Sequence, residues 1–141
     1  MTAGNENGNE NGNENVNENG KKVLLIGLEP ALVDFAALPM KLDEPTLRAG
    51  LEADLQRIRD KGYDVKWLLV DRGETAEAEV SAALSQTKYD CVLIGAGIRT
   101  IVPLFALFET LVNVVHEKAP QAKIAFNTAP SDTAESVQRW V

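Results

Sequence analysis

The chain has 141 residues, a net charge of −7, one cysteine and one histidine. That length suits a single domain, and the acidic balance argues against a nucleic-acid face, which needs clustered lysine and arginine. A lone cysteine excludes an intrachain disulfide framework and fits a reducing compartment. One cysteine with one histidine also falls short of a zinc ligand set, so no metal site is expected.

Residues 1–20 repeat the unit NENG, and Val16 is the one large apolar residue between Gly4 and Gly20. Such a segment buries too little apolar surface to offset the entropy of ordering it, so it reads as a disordered Asn/Glu/Gly-rich tail. Residues 21–141 are then a single α/β domain. Glu6, Glu10, Glu14 and Glu18 hold four of the negative charges, leaving the domain only mildly acidic. The polar N-terminus resembles neither a secretory signal nor a basic transit peptide. No apolar run is long enough to span a bilayer. The expected setting is cytoplasmic, with no membrane and no nucleic-acid partner.

The first predicted strand is Val23-Leu24-Leu25-Ile26, a continuous apolar run ending at Gly27. Unbroken apolar runs mark strands buried on both faces. An irregular connection over residues 28–40 follows, carrying Glu29, Pro30, Asp34 and Pro39. Asp43 caps the first predicted helix, with Pro45 in its first turn and Leu47, Leu51, Leu55 and Ile58 as its apolar stripe. Gly62 is its expected C-terminal residue.

Asp64 to Val70 reads as the second strand, and Asp71-Arg72-Gly73 as a solvated turn. Thr75 is the expected cap of a second helix bearing Val80, Ala83 and Leu84. Tyr89 to Ile94 reads as the third strand, ending in Gly95-Ala96-Gly97. Thr100 is the expected cap of a third helix running to about Lys118, with Pro103 in its first turn. That helix is apolar nearly all round. Ala122 to Phe126 is the fourth strand, and Asp132 with Glu135 forms a capping box for a last helix.

Strand and helix alternate throughout, which argues for right-handed crossovers and a parallel sheet. The predicted fold is a three-layer α/β sandwich with a four-stranded parallel sheet, flavodoxin-like or Rossmann-like. Order 2-1-3-4 is preferred over the competitor 3-2-1-4.

In such a sheet the ligand crevice lies at the carboxyl ends of the strands, where strand order reverses. Candidate ligand residues there are Gly95, Gly97, Arg99, Thr100 and Asn127, with Glu29 or Asp34 as polar partner. Paired glycines admit close backbone approach, a helix N-terminus favours an anion, and Arg99 offers a bidentate contact. The plain alternative is a tight strand-to-helix turn with Arg99 in solvent or paired to Glu29 or Asp34. GAGIRT is a poor dinucleotide fingerprint, since Thr100 holds its third glycine position. The acidic pair and terminal aspartate of phosphorylatable receivers are also missing. Cys91 sits within an apolar run and should be buried and inert. His116 lies late on the third helix, where it suits the helix C-terminus.

The stretches KVLLIGLEP, YDCVLIGAGIR, LFETLVNVVHEKAPQAKIAFNT and DTAESVQRW resemble a family of small bacterial hypothetical α/β proteins with no established activity. The likeness covers nearly all of residues 22–141. It implies the fold and a bacterial cytosolic origin, and assigns no residue a role.

Two functional readings follow. The first is a non-catalytic homodimeric interaction or structural module, joined through the apolar third helix. The second is a small-anion or nucleotide-binding protein, enzyme or not, with its site at the C-terminal ends of strands 1, 3 and 4. No particular cofactor is implied by either.

Overall fold

The structure, a computed structural model, describes residues 20–38 and 40–141. The expected disorder of the tail concerns residues outside that description, up to position 19.

Four strands form one parallel sheet: β1 (Lys22–Leu28), β2 (Asp64–Val70), β3 (Cys91–Ile94) and β4 (Lys123–Phe126). Their order is β2-β1-β3-β4, the preferred one of the two expected. β1 pairs with β2 from Lys22↔Asp64 to Leu28↔Val70, and with β3 from Val23↔Cys91 to Ile26↔Ile94. The chain thus builds outward on one side of β1 and then on the other, so strand order reverses between β1 and β3.

Among the described residues five α-helices accompany the sheet: α1 (Glu44–Asp60), α2 (Ala76–Gln86), α3 (Ala96–Arg99), α4 (Phe105–Lys118) and α5 (Thr133–Gln138). Side chains alternate across a strand, and β1 is apolar on both faces. Leu24, Ile26 and Leu28 join Val80, Leu84, Leu111 and Val115 in the core under α2 and α4. Val23 and Leu25 join Leu55, Ile58, Ala134 and Val137 under α1 and α5. Burial on both faces is why β1 and β3 read as unbroken hydrophobic runs.

Local chemistry sets the ends of α1. Asp43 Oδ1 accepts the Thr46 amide at 2.9 Å, and Gly62, at φ 93°, stops the helix in the left-handed region. The cap of α2 differs from expectation. Thr75 makes no side-chain cap bond. Asp71 does that work, accepting from the Gly73, Thr75 and Ala76 amides and from the Thr75 hydroxyl. Asp71-Arg72-Gly73 is therefore a capping turn rather than a merely solvated one. Asp132 likewise turns back onto the amides of Thr128 and Ala129 instead of capping α5 forward.

The long third helix expected from Thr100 to Lys118 is broken. Residues 96–99 form α3, Ile101 is extended (φ −88°, ψ 111°), a 3-10 turn covers Val102–Leu104, and α4 begins at Phe105. Pro103 is the cause. A continuous helix would set its ring against the Arg99 carbonyl and lose that hydrogen bond. Thr100 closes α3 through its hydroxyl on Ala96 O at 2.7 Å and caps nothing downstream. The apolar residues of α4 are also mostly spoken for. Leu107, Leu111, Val114 and Val115 are buried, while Glu109, Asn113, His116 and Glu117 face solvent. No helix among the described residues is long and apolar enough to cross a membrane.

Candidate functional site

The reversal between β1 and β3 places the β1 and β3 exits side by side. Gly95 N donates to Ile26 O at 2.9 Å, so Gly27 and Gly95 follow a matched pair, Ile26 and Ile94. Alternation puts both glycines on the α1/α5 face, one step beyond Leu25 and Leu93. Neither carries a side chain, and both line a crevice of about 40 Å3. Leu51 and Leu55 of α1 and Trp67 of β2 form its apolar walls. Asp54, Asn127 and Thr133 are its polar members.

Each polar member comes from a different element. Asp54 lies on the inner face of α1, 4% exposed. Asn127 ends β4 at 5% exposure, and Thr133 opens α5 at 4%. Asn127 works in both directions: Oδ1 accepts the Ala96 amide at 2.9 Å, and Nδ2 donates to Thr133 Oγ1 at 2.8 Å. Arg57, one turn along from Asp54, donates to Asp54 Oδ1 at 2.7 Å, to Ser131 O at 2.9 Å and to Glu135 Oε2 at 2.6 Å. These contacts pin α1 to α5 across the mouth of the crevice.

Burial pushes the Asp54 carboxyl above the ordinary aspartate range, against the opposing pull of Thr133 and of the Arg57 guanidinium. Among the described residues two buried side-chain polar atoms have no hydrogen-bond partner, the acceptor Asp54 Oδ2 and the donor Arg99 Nε.

The structure brings together only part of the expected site. Gly95 and Asn127 line the crevice. Arg99 stands beside Asn127 and donates through Nη2 to its backbone carbonyl. Gly97 is exposed and meets nothing within 4 Å at its Cβ position. Thr100 is exposed and closes α3. Asp34 is exposed at the head of a 3-10 turn. Glu29 caps the turn Pro30–Leu32 and pairs with Arg48 at 2.6 Å. The Ala31 amide and Arg48 hold its carboxyl below the ordinary glutamate range. Arg99 therefore pairs with neither Glu29 nor Asp34.

Sequence reading passed over Asp54 and Thr133, and set Gly27 in the loop at the strand reversal without naming it a ligand residue. A signal for Asp54 was present, three residues after Leu51 and four before Ile58, on the apolar stripe itself. An aspartate at a core-facing position is rare unless it is paired or functional. Cys91 is buried as expected, and burial pushes its thiol up to about 12. No family model, curated protein or solved structure matches the chain.

Proposed function

We propose that this chain is a small-ligand-binding α/β module whose site is the crevice at the C-terminal ends of β1, β3 and β4. One observation carries the reading. Two glycines, adjacent in register at the point of strand reversal, open a space onto a buried carboxylate. Open parallel sheets take their ligands at that point. Core packing elsewhere leaves few such gaps, because unfilled space forfeits dispersion contacts.

An anion or nucleotide at the α3 turn draws less support. The Ala96 amide is already taken by Asn127 Oδ1 and Arg99 Nη2 by the Asn127 carbonyl, which leaves Arg99 Nε as the one buried side-chain donor without a partner among the described residues. The test is a ligand-observed NMR screen of small polar compounds against the full chain and Gly27→Ala. An alanine Cβ there would lie 3.6 Å from Leu69 Cδ2, an ordinary contact, so the variant fills the crevice at little steric cost. Binders of the wild type should be lost in the variant. Equal binding to both proteins, or no binder at all, rejects the reading.

Self-association has one observation in its favour. Val102, in the turn ahead of α4, and Phe105, the first residue of α4, are 84% and 61% exposed. If this corner joins two copies, lysine at both positions converts a dimer to a monomer by light scattering. A wild-type monomer at micromolar concentration removes this second reading. The apolar residues of α4 proper, Leu107 and Val114, belong to the domain's own core, so charges there would unfold the chain before they reported on a dimer.

A further inference from the structure

The core is apolar on both faces of the sheet except along one seam. Tyrosines and Cys91 aside, the buried polar side chains among the described residues are Asp54, Asn127, Thr133 and Ser136. All of them lie where α5 meets α1 and the exit of β4. Asp54, Asn127 and Thr133 line the crevice, and Ser136 sits on α5 with its hydroxyl donating to Asp132 O at 2.8 Å. Asp54 is the charged member of the set, and its Oδ2 has no hydrogen-bond partner.

Little else holds α5 in place. At 6 residues it is too short to be stable as a helix by itself. It packs against α1 and the edge strand β4 and places Ala134 and Val137 in the core. Its ion pair, Arg57 with Glu135, is 41% and 53% exposed and therefore screened by water. Elements with few buried apolar contacts open ahead of the rest of a domain.

We infer that α5 is a pH-dependent latch across the crevice, held shut while Asp54 is protonated and loosened as Asp54 ionises. Closed, α5 keeps the carboxyl from water, and the cation beside it, Arg57, is shared with Glu135. Open, the carboxylate is hydrated. Ionisation is thus easier in the open form, and linkage requires that raising the pH favours opening. The surroundings of Asp54 agree in sign. Burial is the largest influence and resists ionisation, Thr133 and Arg57 favour it, and Glu135 resists it, with a net upward push on the carboxyl. Two further cations at this rim, Arg139 and Arg99, donate to the Phe126 and Asn127 carbonyls. Asp132, ahead of α5, is turned onto the Thr128 and Ala129 amides. The strand residues facing Asp54 across the crevice are uncharged. Opening withdraws Thr133 from the wall, which gives a crevice of about 40 Å3 a way to admit a larger group.

The experiment is amide hydrogen exchange of the full chain by NMR, from about pH 4, near the ordinary aspartate value, to about pH 7. Rates are expressed as protection factors. Val137, Gln138 and Arg139 report on α5, and Leu24 and Ile26 on the sheet. The α5 amides should be less protected than those of β1 at every pH. Their protection should fall by about threefold or more as pH rises. In Asp54→Asn this fall should disappear. Glu135→Gln, at an exposed position, should make it shallower, and carries the test if Asp54→Asn does not fold. Equal protection of α5 and β1 overturns the latch, because α5 then opens only with the whole domain. An unchanged pH dependence in Asp54→Asn, or in Glu135→Gln where that variant alone folds, also overturns it. No ligand enters the measurement. Its failure leaves the crevice reading standing, and failure of the ligand screen leaves the latch standing.

Discussion

Asn127 and Thr133 meet side chain to side chain at 2.8 Å, the amide of the first donating to the hydroxyl of the second. The other end of the Asn127 amide accepts the first backbone N–H of α3. One buried side chain thus joins the ends of β3 and β4 to the start of α5. Asn127→Ala would leave the Ala96 amide without its acceptor and Thr133 Oγ1 without this donor. The expected cost is about 1–3 kcal/mol of stability, read as a lower urea midpoint with an unchanged slope. An unchanged midpoint would mean that this linkage does not contribute to the fold.

Asp54 gives a pH signature of known sign. Its folded-state pKa is raised by burial, so the folded chain holds this proton to higher pH than the unfolded chain does. As pH rises through the window between the two values, the unfolded form loses its proton first, and stability falls. Glu29 and Asp71 act oppositely. Their folded-state pKa values are lowered by hydrogen bonds, so their contribution is present above the ordinary carboxylate range and lost as pH falls. Asp54→Asn removes one titration and leaves the others. The stability of the variant relative to wild type should therefore grow as pH is raised from acid to neutral, measured by urea unfolding at a series of pH values. A constant difference across that range would show that Asp54 does not titrate abnormally.

The two glycines of the GAG turn are not equivalent. Gly97 lies in α3 at an exposed position without positive φ, and nothing occupies its Cβ position. Gly97→Ala restricts only the unfolded chain and should stabilise by about 0.4–1 kcal/mol, with no loss of any crevice ligand. A Cβ on Gly95 would sit 3.4 Å from Ile26 O, inside the crevice wall. Gly95→Ala should weaken ligand binding. Thermal melts with a crevice binder compare the pair directly, and equal loss of binding in both would return the site to the turn as a whole.

Cys91 offers a fold-integrity probe. Its side chain is fully buried in β3, and burial pushes its pKa to about 12, so thiolate is scarce at pH 8. Modification by a thiol reagent should be negligible in buffer and rapid in denaturant. Rapid labelling of the native protein would show that β3 opens easily.

The sheet order, strand positions and α1 were legible because each rests on a local signal. Continuous apolar runs marked β1 and β3, a period-3.6 stripe marked α1, and Asp43 and Gly62 marked its ends. What the sequence did not disclose was which loop residues already had partners. Arg99, Glu29 and Thr100 suit ligand chemistry by type, yet each is engaged by the protein itself through the Asn127 carbonyl, Arg48 and Ala96 O. Asp54 and Thr133 were missed because their meeting depends on α1 and α5 packing side by side, a tertiary contact that no local pattern encodes. Gly27 read as a strand end in the loop at the reversal, with no role of its own. Its importance appears only when the register sets it beside Gly95.

The most direct test is a high-resolution crystal structure of the full chain, compared with one of Gly27→Ala. The expected result is an open crevice between Gly27 and Gly95 in the wild type, lined by Asp54 and Asn127, and a narrowed one in the variant. A crevice closed by Leu51 or Trp67 in the wild type would contradict the account.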